Sequence, residues 1–139
     1  MTTADSILII EDDEIDRKSI TRAFKELKIS NPKHEVCNGK EALEFLRSKT
    51  VPKPCLILLD INMPQMNGIE FLQVVKNDED LKMIPVVMLT TSQEDQDRLK
   101  SYKLGIAGYM LKPVDYKQFV EVMRTIHVYW IASLCPPAA

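Results

Sequence analysis

Residues 6–16 read SILIIEDDEID, an apolar run followed at once by four acids. Ser6–Ile10 has the uninterrupted, β-branched composition of a strand that is covered on both faces. Asp13 and Asp16 then have the three-residue spacing of a helix N-cap. This stretch therefore predicts a buried strand that leads directly into a helix.

The same strand-then-helix pattern recurs along the chain of 139 residues. Further strands are predicted at Lys33–Cys37, Leu56–Leu59, Val86–Leu89 and Gly108–Leu111. Cap spacings follow these strands at Asn38, Asn67, Ser92 and Asp115. Strands that alternate with helices are typical of parallel βαβ units, and the length is that of one domain.

Composition and charge exclude several classes of protein. The chain has 18 Lys and Arg against 20 Asp and Glu, a net charge of −2, which argues against a nucleic-acid-binding surface. The apolar runs are much shorter than the ~20 residues of a membrane-spanning helix, and Met1–Asp5 lacks the features of a secretion signal. We therefore expect a cytoplasmic protein without a membrane partner, in which Cys37, Cys55 and Cys135 are free thiols that pack as small apolar side chains.

Residues with chemical potential come directly after the predicted strands. Glu11 and Asp12 follow the first strand, Asp60 the third, Thr90 the fourth and Lys112 the fifth. The carboxyl ends of parallel strands meet at one edge of the sheet, where ligands bind in open α/β folds. We therefore expect several carboxylates, a hydroxyl and one ammonium group to share a pocket.

The charges of this pocket predict a bound cation. Two carboxylates about 4 Å apart repel by roughly 4 kcal/mol at an effective dielectric of 20, and Lys112 supplies only one positive charge. Mg²⁺ is the predicted cofactor because it prefers oxygen ligands and keeps positions for water and phosphate. Asp60, on the central strand, is the predicted phosphoryl acceptor, with Asp12 as a direct metal ligand and Glu11 acting through water.

The combination of these motifs resembles a response-regulator receiver domain of two-component signalling. The matching segments are Glu11-Asp12, Leu59-Asp60-Ile61-Asn62-Met63-Pro64 with Gly68, Thr90 after Val86–Leu89, and Lys112-Pro113 after Gly108-Tyr109. The resemblance extends from about Ile7 to Ile126. It implies an α/β, flavodoxin-like doubly wound (βα)5 fold with a five-stranded parallel sheet in the order 2-1-3-4-5.

The resemblance also implies how the phosphoryl group arrives and is held. Asp60 would receive it from a histidine kinase, the phytochrome type among the candidates, or from a histidine phosphotransfer protein. Asp12, Asp60 and the backbone carbonyl of Asn62 would hold Mg²⁺. Slow loss of the phosphoryl group to water would make the chain a switch and not an enzyme with an external substrate.

The switch itself is implied by the same resemblance. Thr90 and Lys112 would bind the phosphoryl oxygens, and Tyr109 would turn inward when Thr90 moves. The surface of the fourth strand, fourth helix and fifth strand would then select a partner. The bond between Lys112 and Pro113 would be cis.

The C-terminal residues form a separate prediction. Residues 1–127 are assigned to the receiver domain, and 128–139 to an apolar extension in which the last helix continues to Cys135. Val128, Trp130, Ile131 and Leu134 would point in several directions, so one buried face cannot accommodate them all. An exposed apolar patch is typical of an interface, and we expect a homodimer through the last helix and tail, as in the similar receivers that partner cyanobacterial phytochromes. A tail that folds back onto its own domain is the alternative.

Two other functions stay open at this point. An aspartate-nucleophile phosphohydrolase would use the same charges, although its nucleophile would follow the first strand with a second Asp two positions on, and Asp12-Asp13-Glu14 lacks that spacing. A degenerate receiver that serves only as a dimeric scaffold is the second, and the complete set of predicted site residues argues against it.

Overall fold

Apolar runs form the central strands of a parallel sheet in the computed structural model, which describes residues 1–137. In chain order the elements are β1 (Ile7–Ile10), α1 (Glu14–Glu26), β2 (Lys33–Val36), α2 (Gly39–Arg47), β3 (Leu56–Leu59), α3 (Gly68–Lys76), β4 (Val86–Thr90), α4 (Asp95–Lys103), β5 (Gly108–Leu111) and α5 (Tyr116–Ala132). The strands pair in parallel in the order β2-β1-β3-β4-β5. The predicted flavodoxin-like fold and strand order are confirmed.

Two hydrophobic cores lie on the two faces of the sheet. Alternate strand residues point to opposite faces, so Leu8 and Ile10 belong to one core while Ile7 and Ile9 belong to the other. Helices α2 and α3 cover the first core, and α1 and α5 cover the second. The three central strands β1, β3 and β4 are almost entirely apolar because both of their faces are buried, whereas the edge strand β2 carries Lys33, His34 and Glu35 and is only partly buried.

Four of the five predicted helix caps are confirmed. The side chains of Asp13, Asn38, Asn67 and Asp115 each accept hydrogen bonds from amides in the first turn of the following helix. The prediction for Ser92 is wrong: α4 begins three residues later, after Glu94, which makes no side-chain cap bond. Ser92 Oγ instead donates to Asp97 Oδ2 at 2.8 Å.

Strand and helix ends differ slightly from the prediction. Ser6 and Cys37 lie outside β1 and β2, and Thr90 is the last residue of β4. Residues 1–137 contain no cis peptide bond, so the cis Lys112-Pro113 bond implied by the resemblance is wrong. The trans isomer is the one that X–Pro bonds generally favour.

The prediction of three free cysteines is also wrong, because Cys55 and Cys135 form a disulfide across 80 residues of sequence. Cys55 immediately precedes β3, at the amino edge of the sheet. Helix α5 starts at the carboxyl edge and, at about 1.5 Å per residue, runs back past that amino edge. The fold thereby brings together two sulfurs that sequence spacing alone did not connect. Cys37 is a free thiol, as predicted.

The end of α5 combines buried and exposed apolar residues. The helix ends at Ala132 and not at Cys135, with Ser133 as its C-cap. Trp130 is buried in the core beneath α1 and α5, which partly agrees with the fold-back alternative. Val128, Tyr129, Ile131 and Leu134 are exposed. Residues 138 and 139 of the predicted extension lie outside the described residues.

Within residues 1–137, none of the helices combines the length and the hydropathy that a bilayer crossing requires.

Candidate functional site

The predicted site residues meet at the carboxyl edge of the sheet. Ile10 pairs with Leu59, so Glu11 and Asp60 leave neighbouring strands side by side, and the amide of Asp60 donates to the carbonyl of Ile10 at 3.1 Å. On the other side of β4, the amide of Lys112 donates to the carbonyl of Thr90 at 2.8 Å. Strand register alone therefore collects these side chains into one pocket.

Lys112 is the electrostatic centre of the pocket. Its side chain is 6% exposed, and its Nζ contacts Glu11 Oε1, Asp16 Oδ2 at 3.0 Å and Asp60 Oδ2 at 3.6 Å. Burial alone would lower the pKa of Lys112, but the carboxylates of Glu11, Asp60 and Asp16 raise it above its ordinary value. The ammonium group is therefore held charged among three acids.

Glu11 is the carboxyl of the pocket whose charged form is most disfavoured by burial. Burial raises the pKa of Glu11 to about 7 and repulsion by Asp60 adds to the rise, although attraction and hydrogen bonding by Lys112 oppose it. A single ammonium group is thus not enough to keep this carboxyl in its usual range. The pocket favours an additional cation.

The phosphoacceptor candidate has one oxygen fixed and one near the ammonium group. Asp60 Oδ1 accepts a hydrogen bond from the amide of Ile61 at 2.8 Å. Asp60 Oδ2 is the oxygen that lies 3.6 Å from Lys112 Nζ. The acceptor is buried, whereas Asp12 and Asn62, the other predicted metal ligands, are at the surface beside it.

The oxygen set fits a hard cation with few protein ligands. In residues 1–137, one place brings ligand atoms of three His, Cys, Asp or Glu side chains within 4.8 Å of one another, and it consists of Asp5, Cys55 and Cys135. Glu11, Asp12 and Asp60 do not form such a cluster. Mg²⁺ takes one or two carboxylates and retains several waters, so a wider arrangement of acids is compatible with it.

Gly68 allows α3 to approach the acceptor. A Cβ atom at this position would lie 2.2 Å from the carbonyl oxygen of Asp60 and 2.9 Å from the Cα of Ile61. The amide of Gly68 donates to the carbonyl of Ile61 at 2.9 Å, and Asn67 and Glu70 close a capping box at the start of the helix. Because Gly68 has no side chain, the start of α3 can pack against the loop that follows Asp60 and hold it in place.

Thr90 and Tyr109 both contact the loop after β4. Thr90 is fully buried, and its Oγ1 accepts from the amide of Ser92 at 3.2 Å. The hydroxyl of Tyr109 donates to the carbonyl of Ser92 at 3.0 Å. Burial raises the pKa of Tyr109, so the hydroxyl keeps its proton. Ser92 therefore links Thr90 with the aromatic ring of Tyr109.

Two residues of α1, which the sequence did not assign to the site, also belong to it. Asp16 was interpreted only as part of a helix cap, yet it contacts Lys112. The guanidinium of Arg17 donates to the carbonyls of Glu11 at 2.8 Å and Asp12 at 2.9 Å, which holds the acidic loop in place. Their positions one helical turn after Asp13 offered a weak signal, because the first turn of α1 packs beside the pocket.

A family model with the description "response regulator receiver domain" matches residues 7–124. The chain belongs to this family. The match covers every predicted site residue of this receiver and includes β1 through most of α5.

Known relatives are similar to this receiver in sequence and structure over nearly its whole length. This receiver is 34% identical over 137 residues to the response regulator Rcp1 of Synechocystis, covering 96% of the chain and 93% of the relative. The phosphorylated cyanobacterial phytochrome response regulator RcpA has a similar structure, with 32% identity, coverage of 96% and 99%, and a TM-score of 0.90. The Mn²⁺-bound form of Rcp1 is similar as well, with 33% identity, the same coverage and a TM-score of 0.87. The receiver is thus a homologue of Rcp1 that folds as a single receiver domain.

Proposed function

We propose that this receiver accepts a phosphoryl group on Asp60 and so switches its binding to a partner. The observation that carries the proposal is the buried pocket in which Lys112 lies between Asp60 and two further acids. A surface cluster of acids would be solvated and would need no such counter-charge. A buried cluster of acids favours the binding of a cation to the carboxylates and of phosphoryl oxygens to Lys112.

The proposed reaction is a transfer between a phosphohistidine and Asp60. Oδ2 of Asp60 would attack phosphorus to form an O–P bond while the P–N bond to the donor imidazole breaks. The electron pair of the broken bond goes to the imidazole nitrogen, and the leaving imidazole takes up a proton. Lys112 and the Thr90 hydroxyl would bind the oxygens of the transferred group. Water later cleaves the acyl phosphate slowly, so the chain would act as a phosphoacceptor and not as an enzyme with an external substrate.

Mg²⁺ is the proposed cofactor. Asp12, Asp60 and the backbone carbonyl of Asn62 would hold it, with Glu11 acting through water. When bound, it supplies positive charge that offsets both the carboxylates and the phosphoryl oxygens. Oxygen ligands at a pocket with excess negative charge support this choice.

The proposed output surface is formed by β4, α4 and β5. Phosphorylation adds about −1.5 to −2 charge at Asp60, and movement of Thr90 toward it would break the contact to Ser92 and free Tyr109 to turn inward. Helix α4 would respond readily because Ser101 is its one buried residue. Leu99, Tyr102 and Leu111 are exposed on this surface, where a partner would contact them.

The proposed phosphoryl donor is a histidine kinase or a histidine phosphotransfer protein, and the phytochrome type is the first candidate. The similarity to RcpA and Rcp1 supports this choice, because RcpA is described as a phytochrome response regulator. The near-neutral charge balance supports a protein partner and not a nucleic acid. Phosphotransfer from a kinase that consumes ATP would place the chain in the cytoplasm.

We further propose a homodimer through the extension 128–139 and the end of α5. Val128, Tyr129, Ile131 and Leu134 leave apolar surface exposed there, and Leu134 is 93% exposed. Self-association would bury it. Residues 1–127 would then act as the receiver domain proper.

Intact mass spectrometry after incubation with acetyl phosphate tests the proposal. We expect a gain of one phosphoryl group in the presence of Mg²⁺, none after chelation and none in Asp60→Asn. Asp95→Asn is the matched control, because this acid lies on α4 and is paired with Arg98 outside the pocket. Sustained turnover of the donor without stable labelling would indicate a phosphohydrolase, and no labelling under any condition would indicate the scaffold alternative.

A further inference from the structure

The Cys55–Cys135 pair is a second chemical site, at the opposite end of β3 from Asp60. The two Cα atoms are 5.5 Å apart, within the range that disulfides require. Cys55 and Asp60 flank the four residues of β3, so at about 3.3 Å per residue the two sites are some 16 Å apart. The pair is therefore outside the phosphorylation pocket.

The bond attaches the end of the chain to the core. After α5, Ser133 is extended, its amide donates to the carbonyl of Trp130, and its carbonyl accepts from the Met1 nitrogen. Within residues 1–137, the hydrogen bonds include neither Leu134 nor Cys135. The disulfide is thus the principal tether of residues 134–137, the described part of the proposed dimer surface that follows α5.

The two sulfurs differ in access. Cys55 is 5% exposed and packs in the core with Ile7 and Leu56, whereas Cys135 is only partly buried and lies against the edge of that core. A small thiol or disulfide in solution therefore reaches Cys135 first, and Cys55 is the sulfur that resolves the mixed disulfide. One accessible sulfur and one buried sulfur lie close together, so thiol–disulfide exchange can form the bond between them.

We propose that Cys55 and Cys135 form a reversible redox clasp that fixes the C-terminal segment and regulates self-association through it. The regulation of self-association rests on the dimer proposed above, and the clasp itself does not. Disulfides that form in reducing compartments are typically transient and regulatory, which fits a clasp that responds to the thiol–disulfide balance.

The oxidant and reductant are the two forms of a small thiol such as glutathione. To close the clasp, the Cys135 thiolate attacks glutathione disulfide and releases one glutathione, and the Cys55 thiolate then attacks Cys135 of the mixed disulfide and releases the second. The protein sulfurs lose two electrons to the glutathione sulfurs, and the two thiol protons end on the two glutathione molecules. Opening is the reverse, beginning with attack on Cys135.

Equilibration of the full chain in glutathione buffers, followed by alkylation and intact mass measurement, tests the clasp. We expect two thiols to be protected together as the buffer becomes oxidising, with Cys37 alkylated throughout and Cys37→Ser behaving like wild type. Cys55→Ser should accumulate one glutathione on Cys135. Three results would contradict the proposed clasp. The two thiols could oxidise independently of each other, or both could stay reduced in oxidised buffer. The reduced chain could also take up one Zn²⁺ through Asp5, Cys55 and Cys135.

Hydrogen exchange and sedimentation then test its consequence. Reduction should speed exchange by about tenfold or more in the last turn of α5 and after it, while β3 stays protected. It should also change the dimer dissociation constant by at least about tenfold, with unchanged labelling of Asp60 by acetyl phosphate. If the dimer dissociation constant is the same in both redox states, the proposed regulation is refuted but the dimer is not. If the chain is a monomer in both states, the dimer and its regulation are both refuted. In either case the alkylation experiment alone decides whether the clasp exists.

Discussion

Replacing Gly68 with alanine should damage phosphorylation through the backbone of the acceptor. The added Cβ would lie 2.2 Å from the carbonyl oxygen of Asp60, and real Cβ atoms essentially never come closer than 3.0 Å to such a neighbour. Either α3 or the end of β3 must therefore move by about 0.8 Å or more. The atoms that would have to yield belong to backbone that is fixed by the sheet and by the Gly68–Ile61 hydrogen bond.

Two magnitudes follow from this displacement. Overpacking of this kind costs about 1–3 kcal/mol of unfolding free energy. A misplacement of about 1 Å at a reacting group costs up to about 100-fold in rate. We therefore expect Gly68→Ala to unfold at lower urea concentration and to accept phosphate from acetyl phosphate more slowly than the wild type, by a larger factor than its stability loss explains.

Gly108→Ala is the matched control. The nearest atom to a Cβ at Gly108 is Val87 Cγ2 at 4.0 Å, an ordinary contact, and the position is remote from Asp60. Urea denaturation and the initial rate of mass gain measure the two effects on the same samples. If Gly68→Ala were as stable and as readily phosphorylated as Gly108→Ala, the close approach of α3 would have no role in positioning Asp60.

Three further perturbations have defined outcomes. Glu11, with a pKa of about 7, should make Mg²⁺ affinity rise between about pH 6 and 8 in calorimetric titrations, because the metal competes with its proton. Metal-free stability should fall as the pH rises from 4.5, the ordinary pKa of the group, to about 7, because over that range the folded state holds a proton that the unfolded state has lost. Glu11→Gln should flatten both profiles, and unchanged profiles would contradict the assignment. Trp130→Ala should lower the free energy of unfolding in urea by about 3–5 kcal/mol, and the exposed Leu134→Ala by less than about 0.5 kcal/mol; equal losses would contradict the burial of Trp130. Reducing the Cys55–Cys135 bond, which closes a loop of 80 residues, should cost up to about 4.5 kcal/mol in the same assay, and an unchanged urea midpoint would show that the bond does not constrain the chain.

The fold was predictable because two independent signals coincide in the sequence. Uninterrupted apolar runs such as Ile7–Ile10 indicate strands with two covered faces, and the cap at Asp13 indicates where the following helix begins. Ser92 shows the limit of the cap signal. Its amide is used by Thr90 and its hydroxyl by Asp97, so α4 begins later than the spacing suggests.

The site was predictable where strand register determines it. Glu11, Asp60 and Lys112 follow strands directly and Thr90 ends one, and the sheet brings these positions together without further information. Asp16 was interpreted only as a cap residue, because its contact with Lys112 depends on the side-chain direction of a helix and on the reach of a long side chain.

The cysteine pair was missed for a different reason. Contact between Cys55 and Cys135 depends on how far α5 extends past the sheet, which is a property of tertiary packing and not of spacing. The same packing buries Trp130 while it leaves Leu134 exposed. The helical spacing of Phe119, Met123, Ile126 and Trp130 does indicate the buried face of α5, but no local pattern indicates the contact between the two cysteines.

Reduction with borohydride tests the central claim most directly, since it converts an aspartyl phosphate into homoserine at the modified position. The protein would be treated with acetyl phosphate and Mg²⁺, reduced, digested and sequenced by tandem mass spectrometry. We predict homoserine at position 60 in this sample and at no acid in a sample prepared with chelator. Homoserine at Asp12 or Asp16, or at none of the pocket acids, would contradict the assignment of Asp60 as the phosphoryl acceptor.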